Sequence, residues 1–344
     1  MPPIEEGFGM TKRVAVVGAG AISAVHFTGY ERAGAEIVAV VDVDASRAQD
    51  RAETYGARVY TDMVEMLEHE HLDAVSIVTP PFAHAEQVIL AAKHGLHIFS
   101  EKPFALTSDQ AREMIAAVNE AGVTLAVNFA HRHFEGTTVV RDMIADGTLG
   151  EIHSLRVRFG VDYTENTRSW IYRKELAGGG TFMDTASHGL DLYRFLIADI
   201  DRVYAVSRQT PASPEVEDLG AWIVESTVSP AFGLLESDWP TPGADYGWSV
   251  HGSNGAAYAD YELPGIRYRL KGETDWSVID VPGSAVADRF THAIADFLDC
   301  IDSGATPVAT GEDGLRSLEI IEAAYRSAEE GCAVECGAGA DRPT

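Results

Sequence analysis

Two stretches of the 344-residue chain carry side chains whose types and spacing could do chemistry. In SEKPFA, residues 100–105, an apolar run ends on Glu101 and Lys102, and Pro103 restrains the backbone directly after them. The chain has five lysines, Lys12, Lys93, Lys102, Lys174 and Lys271, and otherwise prefers arginine. An ammonium can release its proton when its surroundings lower its pKa, whereas a guanidinium cannot. Lys102 is therefore a candidate for proton handling, against the plainer reading of a surface charge on a loop. In LAGGGTFMDTASHGLDLYRFLI a glycine triplet precedes Asp184, His188 and Asp191, which a helix would present on one face at i, i+4 and i+7. Such a stripe faces either solvent or a crevice, because buried acids are rare unless paired. Asp-x-x-x-His supplies two metal ligands and no third is indicated, so no metal is expected.

A third stretch, TKRVAVVGAGAISAVHFTGYERAG, reads as strand, tight turn and helix. Gly18 and Gly20 would let the backbone turn and approach a pyrophosphate, with Ala21 and Ile22 leading into a helix N-terminus. The third glycine of G-x-G-x-x-G is replaced by Ser23, a small residue. EIVAVVDVD forms a second apolar strand ending at Asp42, where a carboxylate would accept from a ribose diol. Together these elements predict dinucleotide binding. Asp42 favours NAD because it would repel a 2'-phosphate, while Arg47 leaves NADP open.

These residues must be positioned by alternating elements. DAVSIVT and LHIFS read as buried parallel strands, AHAEQVILAAKHG as a helix closed by Gly95, and TSDQAREMIAAVNEAG as a helix with Ser108 as N-cap and Gly122 at its end. The pattern predicts a doubly wound parallel sheet, a Rossmann domain over residues 11–130. Ligands of such sheets bind beyond the carboxyl ends of the strands, where Thr79-Pro80-Pro81, Glu101-Lys102-Pro103 and Asn128 through His131 all fall. After residue 130 the period changes. EIHSLRVRFGVDY, RVYAVSRQ, LGAWIVESTV, FGLLESDW, YGWSVHGSNGAAYADYE and IRYRLKG predict an antiparallel, half-covered sheet, and two amphipathic helices close the chain. A second α+β domain over 131–335 follows, with tails at 1–10 and 336–344.

With 26 basic against 53 acidic residues the formal charge is −27, which argues against nucleic acid or anionic membranes as partners. A dispersed acidic surface aids solubility, and with lysine so scarce, adaptation to high salt is a hypothesis that a melting temperature rising with potassium chloride would support. No apolar stretch approaches the roughly 20 residues needed to span a bilayer, and MPPIEEGFGM lacks a signal-peptide layout. A cytoplasmic protein is expected. Cys300, Cys332 and Cys336 are read as reduced, structural thiols.

The glycine triplet, the acid-histidine segment and the E-K-P turn, with GAGAIS, VVDVD, TPPFAH, HRH and SLEIIEAAYRSAEEG, make the chain resemble the Gfo/Idh/MocA family of oxidoreductases over nearly its whole length. The resemblance implies a Rossmann domain, a C-terminal domain with a large open, mostly antiparallel sheet, and homodimers or homotetramers through that sheet. It implies a catalytic lysine at Lys102 and a catalytic acid and histidine at Asp184 and His188. A histidine near its reference pKa of about 6.5 suits removal of a hydroxyl proton. Asp184 would orient that imidazole and favour its protonated form, and Lys102 would stabilise alkoxide charge. Thr79, Pro80, His84 and Glu101 are expected beside the cofactor. Tyr163, Asn166, Arg168, Trp170 and Tyr172, with Asn128, are expected to line a polyol site. A neutral sugar or cyclitol is favoured because no basic cluster advertises a phosphate. A free-cofactor dehydrogenase or reductase is the leading class; an NAD-assisted glycosidase, a specialised ketosugar reductase and a dinucleotide-sensing module are the alternatives.

Overall fold

The computed structural model describes residues 11–163, 169–213, 215–242, 246–261, 265–281 and 286–337. Apolar runs of β-branched residues become strands buried on both faces when helices flank them. This holds for β1 (Arg13–Val17), β2 (Glu36–Val41), β4 (Ala74–Ile77), β5 (His97–Ser100) and β6 (Leu125–Val127), while β3 (Arg58–Tyr60) is a short, partly exposed edge strand. They form one parallel sheet in the order β3-β2-β1-β4-β5-β6. Its crossovers are α1 (Ser23–Arg32), α2 (Ala45–Tyr55), α3 (Met63–His69), α4 (His84–Lys93) and α5 (Ser108–Ala121). The cap of α5 is Thr107, whose hydroxyl accepts from the Gln110 amide at 3.2 Å, and not Ser108 as the sequence suggested. Ser108 lies one position inside the helix, where its amide and hydroxyl both donate to Glu322.

The chain then passes through α6 (Glu135–Ala145) into β7 (Ile152–Gly160), α7 (Lys174–Ala177) and α8 (Ser187–Leu196). The strands β8 (Arg202–Arg208), β9 (Leu219–Glu225), β10 (Phe232–Asp238), β11 (Tyr246–Gly252), β12 (Gly255–Asp260), β13 (Ile266–Leu270) and β14 (Ser277–Ile279) follow. With β15 (Val334–Glu335) they make a nine-stranded sheet ordered β14-β13-β12-β11-β7-β10-β9-β8-β15. It is antiparallel except where β7 and β10 run parallel at its centre. Alternation sorts its faces: Val203, Ala205, Trp222 and Val224 are buried, while Tyr204, Val206, Ile223 and Phe232 stay exposed on the other side.

Two helices close the structure, α9 (Val286–Ser303) and α10 (Gly311–Glu330). Although they follow β14 of the second sheet in sequence, both reach back to the first domain. Ala293, Ile294, Phe297 and Leu298 of α9 complete the core beside Val14, Val16, Phe27 and Tyr30, and Glu319 and Glu322 of α10 bond Arg112 and Ser108 of α5. Cys336, assigned to a tail from the sequence, is buried, and its amide donates to the Asp201 carbonyl at 2.7 Å. All three cysteines are unpaired. Among the described residues no helix is long and apolar enough to cross a membrane.

Candidate active site

A cleft of about 1700 Å³ opens beyond the carboxyl ends of the parallel strands and extends to the second sheet. Its nucleotide end is built by the glycine turn. Gly18 has φ 107°, and a Cβ there would stand 2.6 Å from the Val78 carbonyl oxygen, so the position admits only glycine. Gly20 faces open space. The amides of Gly20, Ala21 and Ile22 line the cleft and find no protein acceptor among the described residues. Unspent amides at the start of α1, together with its dipole, fit a pyrophosphate. Asp42 ends β2 at the same rim. Its carboxylate accepts from the Ala19 amide at 2.8 Å and the Asp44 amide at 2.9 Å, which ties strand to turn. Arg47 also lines the cleft, with its guanidinium drawn 3.0 Å from Asp44.

At the end of β5, Lys102 and the cis peptide to Pro103 turn the chain into the cleft. The Lys102 ammonium donates to the Asp184 carboxylate at 2.8 Å and to its carbonyl at 3.1 Å. Tyr163 donates to the other Asp184 oxygen at 3.2 Å. Glu101 is buried behind them, accepting from Asn128 at 2.7 Å and sharing a 2.8 Å bond with His26, which in turn contacts Ser76. Burial alone would raise its pKa, but the His26 bond and the nearby charges of His26 and Lys102 win, and the carboxyl is held below its ordinary value. Thr79 and Pro80 line the cleft as expected. His84 does not: it is fully buried, bonded to the carbonyls of Thr79 and Pro103 at 2.7 and 3.0 Å, and so pins the two cleft loops together from behind.

Asp184 lies in a π-helical turn, Phe182–Ala186, which runs directly into α8. Across this turn both side chains reach the cleft, where Asp184 bonds Lys102 and Tyr163 while His188 meets His131. Two groups shape this turn. Gly180 approaches Glu217 so closely that a Cβ would sit 1.7 Å from its carbonyl oxygen, and the Glu217 carboxylate accepts from the amides of Gly180 and Phe182. Asp191, the third member of the stripe, faces neither solvent nor the crevice. It is buried under the site and paired with Arg132 at 2.6 Å, and Arg132 also bridges to Asp313 of α10.

His188 is half-buried, opens on the cleft and keeps Nδ1 sealed with no hydrogen-bond partner. Its ring meets that of His131 edge-on at 4.5 Å. Burial, then the Lys102 charge, pushes its pKa well below 6.5; Asp184 opposes this and loses, and Arg289 adds to it. Asp184 thus favours the protonated form, as expected, but burial and the Lys102 charge outweigh it and hold the imidazole below the reference pKa of about 6.5 that the sequence suggested. His131 receives a 3.0 Å bond from Arg289 at Nδ1, contacts the Tyr261 hydroxyl at 2.5 Å and that of Tyr246 at 3.2 Å, and is pushed down by burial in the same way.

Of the expected substrate residues, Asn128 and Trp170 line the cleft, as does Tyr163. Tyr172 packs edge-on against Trp239, bonds the Tyr163 carbonyl and is not part of the lining. Arg168 and Asn166 lie outside the described residues. Tyr246, Tyr261, Arg289 and Glu217 carry no signal in the sequence; they come from strand ends, a helix and a loop far along the chain.

Residues 12–129 match the profile of the oxidoreductase family with NAD-binding Rossmann fold, GFO_IDH_MocA, and residues 137–258 match the GFO/IDH/MocA C-terminal domain. The chain is 31% identical over 336 residues to 1,5-anhydro-D-fructose reductase of Ensifer adhaerens, covering 95% of this chain and 99% of that one. It is 30% identical to inositol 2-dehydrogenase of Rhizobium meliloti, covering 93% and 98%. Its fold superposes on levoglucosan dehydrogenase, solved with NADH and levoglucosan, with a TM-score of 0.88 over 96% of this chain and 100% of that one at 22% identity. The chain therefore belongs to the GFO/IDH/MocA family, and it is a nicotinamide-dependent dehydrogenase or reductase of the class that works on CH–OH groups.

Proposed function

We propose that the protein exchanges hydride between NAD(P) and a secondary alcohol or ketone of a sugar, cyclitol or related polyol. The observation that carries this reading is the meeting of Lys102, Asp184 and His188 at one cleft whose other end is the glycine turn. When bound, the nicotinamide accepts or returns the hydride; the chain's own groups handle the proton. In the oxidative direction neutral His188 takes the hydroxyl proton. Lys102, steered by Asp184, donates to the same oxygen and stabilises charge as it develops there. Asn128 and Trp170 offer a polar edge and an aromatic face to the ring.

NAD is favoured over NADP. Asp42 stands where a 2'-phosphate would meet a carboxylate, and Asp44 already claims Arg47. The exposed apolar stripe of Tyr204, Val206, Ile223 and Phe232 supports a homo-oligomer built through the open face of the second sheet. Unpaired thiols fit a reducing, cytoplasmic setting.

The test is formation of NADH or NADPH on a panel of monosaccharides, inositols and sugar acids at mildly alkaline pH. Reduction of one cofactor by one polyol class is the expected result. Protein that binds NAD but neither oxidises any polyol nor reduces any ketosugar would overturn the reading.

A further inference from the structure

Arg289, near the start of α9, has a relative exposure of 4% yet lines the cleft. Its guanidinium donates to His131 at 3.0 Å and lies over the Tyr261 ring with 4.5 Å to the centroid. Its Nε is sealed from solvent and donates to nothing. Among the described residues no carboxylate pairs with it. A buried cation without an opposite charge beside it is costly, and this protein shows the usual remedy elsewhere: Arg132, also buried, is met by both Asp191 and Asp313. Lys102 in the same cleft is met by Asp184, whereas Arg289 meets an imidazole and an aromatic ring.

We propose that Arg289 receives an anionic group of the substrate, a carboxylate on the polyol, so that the preferred substrate is a sugar acid. This rests on the oxidoreductase reading above and departs from the neutral polyol that the sequence suggested. The planar guanidinium fork matches a carboxylate in a way an ammonium does not, and the surrounding Tyr246 and Tyr261 rings exclude water, which strengthens such a pair. The acidic surface of the chain makes the point sharper: with a formal charge of −27, a sugar acid is repelled on approach, and a local cation is needed to hold it.

The test uses the NADH-loaded protein and matched ligands that differ in one carboxylate, D-glucuronate against D-glucose and D-galactonate against D-galactitol. Binding is read from the fluorescence of bound NADH, in the wild type, Arg289→Lys and Arg289→Met. In the wild type each acid is expected to bind at least about tenfold tighter than its neutral partner. Arg289→Met should lose about a hundredfold for the acids and less than about threefold for the neutral ligands, in line with loss of a buried charged pair. Arg289→Lys, which keeps the charge without the fork, should fall between. The inference is overturned if the neutral ligands bind the wild type as well as the acids do, if Arg289→Met weakens both equally, or if it weakens NADH itself, which would make Arg289 a cofactor group. NAD reduction is assayed on the same ligands. Turnover confined to neutral polyols sinks this inference and leaves the oxidoreductase reading standing, whereas Arg289-dependent binding of acids with no turnover of any ligand does the reverse.

Discussion

Lys102 and Asp184 stand 82 residues apart in the chain and 2.8 Å apart in the fold, joining the end of a strand in the parallel sheet to the π turn that launches α8. The pair fixes the ammonium at the wall of the cleft. Replacing Lys102 or His188 with Ala should each lower turnover by about two orders of magnitude or more, because the proposed mechanism has both act on the reacting oxygen and its proton. NADH affinity should stay within about threefold, since the glycine turn is untouched. Near wild-type turnover in either variant would remove that residue from the mechanism.

The acidic limb of kcat/KM for oxidation should lie below pH 6.5. In the proposed mechanism His188 works as the free base, and burial and the Lys102 charge both disfavour its imidazolium. The sign separates the neighbours. Lys102→Met deletes a cation and should move the limb to higher pH. Asp184→Asn deletes the carboxylate that favours the imidazolium and should move it lower. Shifts in the same direction for the two variants would place the limb on another group.

Asp42 should set the choice between the two cofactors. Asp42→Ser removes the repulsion toward a 2'-phosphate and should lower the ratio of kcat/KM for NAD over NADP by roughly tenfold or more. Some of the change will be loss with NAD, because the same carboxylate bonds the Ala19 amide of the turn. Unchanged Michaelis constants for both cofactors would sink the assignment.

Arg132 with Asp191 and Asp313 forms a buried ionic cluster beneath the site. Arg132→Met alone leaves Asp191 buried without its partner, while Arg194 still meets Asp313, and should cost about 3–5 kcal/mol in denaturant unfolding. The double variant Arg132→Met, Asp191→Leu should recover more than half of that loss. A double variant no more stable than the single one would show that the pair is held by more than its charge balance.

The first domain was readable because each of its signals is local: apolar runs, a glycine turn, an acid at the next strand end. The second sheet was readable as strands but not as an order, since the parallel pairing of β7 with β10 joins segments more than 70 residues apart and alternation says nothing about partners. The site divides the same way. Lys102, Asp184 and His188 sit in motifs with unusual composition, and the fold brings them to one cleft. His84 has the right residue type but turns into the protein, a matter of side-chain direction that spacing does not encode. Thr107 and Ser108 are both good caps, and only the extended backbone at Thr107 chooses between them. Arg289 was invisible because it reads as one more charge on an amphipathic helix.

The placement of α9 also has a meaning for the order in which the molecule can be made. The strands that bear the nucleotide turn leave the ribosome within the first 130 residues, yet the layer formed by Ala293, Ile294, Phe297 and Leu298 is translated more than 150 residues later. Until then Phe27 and Tyr30 lack their covering helix. A truncated N-terminal half would therefore expose an apolar face and associate with itself, and the nascent chain must either wait with that face open or shield it by other means, so the amino-terminal domain is the first to be synthesised and among the last to be finished.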